Sequence, residues 1–147
     1  MKPTPVTPLK VAVSQLRLAI TLFLEEREYI AVITLAGAAE EILGKLAASA
    51  GHTPALARSV GSVRHLHLKL WGADPGAKAV MALRNKTRNE LKHLVEAPSS
   101  QLNLPAEAIR MLNRAVENYR LVHVRAAAFV RDYERRREHM RREARDA

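Results

Sequence analysis

At 147 residues, the chain has the length of one domain and is long enough to bury a core without disulfides or metal. It contains no cysteine, which excludes a disulfide framework and any zinc site built on cysteine, and only 4% of its residues are aromatic. The formal net charge of +9 favours polyanionic partners, with nucleic acid first and an anionic membrane surface second.

The beginning of the chain has no feature of a signal peptide, because it is polar and rich in proline. The most apolar stretch, Tyr29–Ala39, is too short to span a bilayer and is followed at once by Glu40 and Glu41. We therefore expect a soluble, cytoplasmic protein that has no membrane partner.

The first two predicted elements are helices with different surroundings. Thr7 followed by Pro8 indicates a capped start, and apolar residues then recur at helical spacing from Leu9 to about Leu24, which leaves one polar face. The next segment, Tyr29–Ala50, is apolar or small nearly all round. That pattern predicts a central, buried helix whose small residues let neighbouring helices approach closely.

Glu40 and Glu41 lie in the middle of this apolar helix. One interpretation is that one or both carboxylates pair with an arginine or reach solvent at an edge. A more specific one is that one of them orients Arg88, which belongs to the motif described below.

The chain between residues 52 and 72 gives a weaker signal. Thr53-Pro54 is a candidate start of a short helix, and Gly61 is expected to interrupt it. The stretch with His65 and His67 alternates like a strand but also fits a helix, which we predict because no second strand exists for pairing. The two histidines suggest metal ligands, yet no third ligand is near, so solvated or partly buried histidines are the favoured interpretation.

Asp74-Pro75 predicts the next helix start, with a capping carboxylate before a proline at the first helical position. The helix should run to about Leu94. Its polar residues fall away from the apolar stripe and should face solvent or a partner; they are Asn85, Arg88, Asn89 and His93.

Pro105 opens the last predicted helix, whose apolar spacing continues to Tyr133. After that residue the sequence turns to mixed charge rich in arginine. The sequence therefore predicts an all-α protein, an up-and-down bundle of four to five helices, with a single domain over residues 1–133. Residues 134–147 would form an Arg-rich helical extension or a disordered tail.

The stretch Arg88-Asn89-Glu90-Leu91-Lys92-His93 brings a guanidinium, an amide and an imidazole together on one predicted helix. Arginine presents a planar fork of donors, and histidine moves a proton near neutral pH, so the combination suits chemistry on a phosphate. An Arg and a His at this spacing are weak evidence in an arginine-rich chain. The Asn after the Arg makes the pattern more specific.

This motif resembles that of the HEPN superfamily, small helical-bundle domains named for higher eukaryote and prokaryote nucleotide binding. The signature of that family is Arg, usually a polar residue such as Asn, and His after four to six intervening residues, near the end of the penultimate core helix. The Ala-Gly-Ala-Ala-Glu-Glu run at Ala36–Glu41 also looks like the first core helix of the family. The resemblance covers roughly Arg27–Tyr133.

The resemblance implies an endoribonuclease that needs neither metal nor another cofactor and is often a toxin or defence component. It also implies a homodimer in which the two motifs meet across a cleft, with RNA as substrate and an antitoxin as a candidate protein partner. Arg88 would hold the scissile phosphate. His93 would serve as general base or acid at the ribose 2′-hydroxyl or the leaving oxygen. Asn89 would position the phosphate or the imidazole, while Arg84 and Lys92 would add phosphate affinity.

Two other functions stay open at this point. Many members of the superfamily are believed to be non-catalytic, so the chain could be an interaction or regulatory module that partners a nucleotidyltransferase or another protein. It could also be a basic helical adaptor that binds nucleic acid without chemistry, although the sequence has no helix-turn-helix signature and no aromatic stacking platform.

Overall fold

The computed structural model describes residues 3–92, 102–123, 125 and 127–146, and within these ranges the chain forms seven α-helices and no strand. The helices are α1 Pro8–Leu24, α2 Tyr29–Ser49, α3 Ala55–Trp71, α4 Ala77–Arg84, α5 Lys86–Lys92, α6 Leu104–Val122 and α7 Ala128–Asp146. The predicted all-α helical bundle is confirmed. In the described part of the chain, no helix is both long and apolar enough to cross a membrane.

The hydrophobic core lies between α1, α2 and α6, and α7 packs against α1. Its largest fully buried aliphatic side chains come from these three central helices; they are Leu16, Ile20, Ile33, Leu43 and Leu112. α1 begins as predicted, because the Thr7 hydroxyl accepts a hydrogen bond from the backbone N–H of Lys10. α2 is the predicted central helix and is buried along most of its length.

The region of α3, α4 and α5 departs from the sequence prediction in three ways. Gly61 does not interrupt α3, which runs without a break from Ala55 to Trp71. The helix after Asp74 begins only at Ala77, because Gly76 has a φ of +81°, which a helix cannot contain. The single helix expected to run to Leu94 is interrupted at Asn85, so that α4 and α5 are separate segments.

The prediction of one long last helix is wrong, because two separate helices, α6 and α7, occupy that part of the chain. α6 ends at Val122, and the next residue, His123, has an extended backbone with φ −125° and ψ 126°. α7 then returns to the core, where the Tyr133 hydroxyl donates to Asn113 Oδ1 at 2.8 Å. α7 continues to Asp146, so the predicted boundary at residue 133 falls within it; the separation into a domain and an extension stays a prediction.

Candidate functional site

Arg88 of α5 lies across the surface of α2. Its Nη2 donates to Glu41 Oε2 at 2.7 Å and its Nη1 to the Gly37 carbonyl at 3.3 Å, while Glu40 Oε2 is 4.0 Å from Nη1. Only 13% of the side chain is exposed. The expectation that Arg88 faces solvent or a partner is therefore wrong, whereas the interpretation that a carboxylate of α2 orients it agrees with this contact.

Gly37 makes this close approach possible. A Cβ atom at position 37 would lie 2.8 Å from Arg88 Cδ, which is closer than carbon atoms pack. The absence of a side chain thus lets the aliphatic part of Arg88 rest directly on the backbone of α2. The sequence indicated this use of glycine in general terms, without naming the partner.

Arg114 of α6 forms the second ion pair of the site. Its Nη2 lies 3.0 Å from Glu40 Oε2 and also donates to Asn85 Oδ1 at 3.0 Å, while its Nη1 donates to the Arg84 carbonyl at 3.3 Å. The Glu40 and Arg114 side chains are 5% and 11% exposed, so water screens this pair little. Arg114 therefore joins α2, α6 and the interruption between α4 and α5.

Asn118, one turn further along α6, satisfies backbone groups on two other helices. Its Nδ2 donates to the Glu40 carbonyl at 3.1 Å, and its Oδ1 accepts from the Ala55 N–H at 2.8 Å. The side chain is fully buried. Because a buried amide that loses its partners costs free energy, these bonds fix the beginning of α3 beside the site.

An open cleft of about 370 Å³ lies beside Arg88; we call it the Arg88 cleft, and its charged lining residues are Glu40, Glu41, Lys45 and Arg88. The lining is neutral overall, because two cations balance two carboxylates. A hydrogen bond from Lys45, with Arg88 as the next contributor, lowers the pKa of Glu41 below its usual value. Glu41 is therefore ionised at neutral pH and keeps its attraction for Arg88.

The predicted site residues take different places in the structure. Arg88 is anchored as described, and Asn89, beside it on α5, is exposed. Arg84 is exposed at the end of α4. The Lys92 side chain and the whole of His93 lie outside the described residues. The structure thus brings together Arg88 and the two carboxylates of α2, and nothing in it bears on the predicted approach of Arg88 to His93.

Arg114 and Asn118 were not among the residues predicted from the sequence. For Asn118 a signal exists, because it continues a row of apolar residues formed by Met111 and Ala115 on the same helix face. A polar residue in such a row marks a buried hydrogen-bonding position. Arg114 gives no such signal, since charged residues are common on α6.

The histidines of α3 offer no sign of a metal centre. His67 Nδ1 lies 2.6 Å from the Ala73 carbonyl, and its ring packs against Trp71. Among the residues that the structure describes, no group of three His, Asp or Glu side chains could hold an ion.

No protein-family model, curated protein or solved structure matches this chain.

Proposed function

We propose that this protein is a metal-independent endoribonuclease of the HEPN type, acting as a dimer in a toxin or defence system. The observation that carries the proposal is the anchoring of Arg88 by Glu41 and the Gly37 carbonyl, on the helix that leads to His93. A guanidinium held in one position loses little freedom when it binds a phosphate. The formal net charge of +9 supports an anionic substrate.

In this proposal Arg88 retains donors for the substrate after both anchoring bonds are made. A guanidinium has five N–H groups, and the two anchoring bonds use one on each Nη. The remaining donors would contact the scissile phosphate and stabilise its developing charge. His93 would move the proton at the 2′-hydroxyl or the leaving oxygen, and Asn89 would position either group.

The proposed dimer is supported by the exposed apolar side chains of α3 and α4, which together we call the α3–α4 patch although they lie on more than one face of the helices. Its members are at least 42% exposed; they are Leu66, Leu68, Leu70, Trp71, Met81 and Leu83. Clusters of large apolar residues on a protein surface mark interaction sites. A second copy that covers the part of this patch at Met81, which lines the Arg88 cleft, would bring that cleft to the interface, as the proposed mechanism needs.

A non-catalytic interaction module is the second candidate, and one observation favours it. Arg88 is close to two carboxylates, so its charge is largely balanced within the protein before any phosphate arrives. In that case the same ion pairs would serve stability, and the α3–α4 patch would bind another protein such as a nucleotidyltransferase.

RNA cleavage in EDTA tests the proposed function. The purified protein should cut mixed RNA and leave 2′,3′-cyclic phosphate ends, while Arg88→Ala and His93→Ala should reduce the rate by at least about a hundredfold. Arg58→Ala is the matched control, because Arg58 also pairs with a carboxylate, that of Glu117, but lies outside the site. If the parent protein cuts no RNA, or if all variants cut equally, the ribonuclease proposal fails.

A further inference from the structure

A second cleft, of about 440 Å³, lies between α3, α4, α5 and α6. We call it the basic cleft; its charged lining residues are Arg84, Lys86, Glu107, Arg110 and Arg114. Four cations face one carboxylate, which gives the lining a formal charge of +3. The formal charge of the lining of the Arg88 cleft sums to zero. Because Glu40 of that cleft pairs with Arg114 of the basic cleft, Arg114 is already balanced in part. The attraction of the basic cleft for anions therefore comes mainly from Arg84, Lys86 and Arg110.

We propose that the basic cleft binds a phosphodiester group of the RNA strand and so forms a substrate subsite beside Arg88. This inference rests on the proposed function only in taking RNA as the ligand. The two clefts are linked by Arg114, which lines the basic cleft and pairs with Glu40 of the Arg88 cleft. A strand that crosses this shared wall would meet both sites.

Two of the cations, Arg84 and Lys86, extend from a backbone position that Arg114 fixes. Arg84 and Lys86 flank Asn85, and Arg114 fixes this point through the Asn85 side chain and the Arg84 carbonyl. Both cationic side chains are exposed, and in the part of the chain that the structure describes no carboxylate pairs with Arg84. Lys86 is 3.7 Å from Glu90 and is itself 66% exposed, so its ammonium group is open to a phosphate from the solvent side.

Arg114 has an unsatisfied donor beside the wall that the two clefts share. Its Nε is buried and has no hydrogen-bond partner, although both Nη atoms of the same side chain are engaged. A buried N–H donor without a partner is costly, so the contacts within the protein leave Arg114 incompletely satisfied.

The other lining residues also suit a nucleotide. Thr87 places a hydroxyl-bearing side chain in the lining, while Val63, Val80 and Met111 give it an apolar part. The apolar face of a ribose or base can pack on such a surface while the phosphate contacts the cations. A small inorganic anion would use only the polar part.

Binding of a short RNA that resists cleavage tests the subsite without depending on catalysis. The probe is a fluorescent single-stranded oligonucleotide of about ten nucleotides with 2′-O-methyl groups, which removes the nucleophile of the proposed reaction. Lys86→Glu and Arg84→Glu should each weaken binding about tenfold in moderate salt and lower the slope of log K against log salt by about 0.7. Lys10→Glu on α1 is the control, because it makes the same charge change at an exposed lysine outside the cleft.

The subsite is supported if both cleft variants lose affinity and Lys10→Glu changes it by less than about threefold. Equal loss in all three variants would overturn it, because the effect would then come from total charge. Unchanged binding in the cleft variants, or no binding by the parent protein, would overturn it as well. Displacement of the probe by millimolar inorganic phosphate would assign the cleft to free phosphate and overturn RNA as its occupant.

Failure of the subsite and failure of the ribonuclease proposal give different results. If the parent protein cuts RNA but Lys86→Glu binds the probe normally, only the subsite is refuted. If the probe binds through the basic cleft and no RNA is cut in EDTA, only the ribonuclease proposal is refuted.

Discussion

The two sides of the bundle are held together by different forces. α1, α2 and α6 bury large aliphatic side chains against one another, whereas α3 buries only Ala55 and Val60 and α4 only Val80. α3, α4 and α5 are instead attached to the core helices largely through the polar side chains of Arg88, Arg114 and Asn118. Burial of apolar surface stabilises one side, and hydrogen bonds and ion pairs determine the geometry of the other.

This contrast explains where the candidate site lies. Burial of apolar surface has no directional requirement, but a buried ion pair is favourable only in a narrow range of geometries. The side of the molecule that has the smaller apolar core therefore has precisely oriented charged groups. It also leaves both clefts and the α3–α4 patch available to a ligand or partner.

The largest predicted effect is a difference in stability between two leucine substitutions, one on each side of the bundle. Leu112→Ala on α6 should lower the free energy of unfolding by about 4 kcal/mol, because Leu112 is fully buried and its loss leaves a cavity. Leu70→Ala on α3 should change it by less than about 0.5 kcal/mol, because Leu70 is 59% exposed. Urea unfolding at low protein concentration measures both values.

The same leucine pair tests the dimer. Leu70→Ala should weaken self-association in sedimentation experiments, since Leu70 belongs to the α3–α4 patch. An equal loss of stability in the two variants would contradict the contrast between the sides. Unchanged association would remove the patch from the proposed dimer interface.

The second prediction concerns the buried pair that joins the two sides. Arg114→Met should lower the free energy of unfolding by about 3 kcal/mol, because it leaves the Glu40 carboxylate buried without its closest cation. Arg88, at 4.0 Å, compensates only in part. Arg110→Met, one turn away, should cost less than about 0.5 kcal/mol, because the Arg110 side chain is 59% exposed and water screens its pair with Glu107.

The double variant Glu40→Gln with Arg114→Met sharpens this result. It should recover part of the lost stability, since the unpaired charge is then absent. Equal costs for Arg114→Met and Arg110→Met would mean that the pair with Glu40 does not hold the two sides together.

The sequence predicted the central part of the fold because local patterns encode it. The capped start at Thr7 and the apolar segment 29–50 were both found where expected. The division between α6 and α7 was missed because the apolar spacing continues through it, and periodicity does not reveal that a chain turns back. Tyr133 fits the spacing of a longer helix, yet it reaches the core from a separate one.

The candidate site was predicted only in part for a similar reason. The motif identified Arg88, and the two acidic residues in an apolar helix indicated an arginine partner. Arg114 contacts the site from a different helix, α6, and sequence spacing carries no information about how two helices are rotated against each other. Such contacts depend on packing of the whole bundle.

The smallest predicted effect compares two glycines within helices. Gly61→Ala on α3 should raise the free energy of unfolding by about 0.5–1 kcal/mol, because nothing lies near the added methyl group and alanine favours helix. Gly37→Ala should not raise the free energy of unfolding in this way, because its Cβ would meet Arg88 Cδ and move the guanidinium away from Glu41. Under the ribonuclease proposal, RNA cleavage should fall at least tenfold in Gly37→Ala and stay unchanged in Gly61→Ala, since a displacement of about 1 Å at a reacting group is costly. Equal stability and equal cleavage in the two variants would show that the position of Arg88 on α2 matters neither to the fold nor to the reaction.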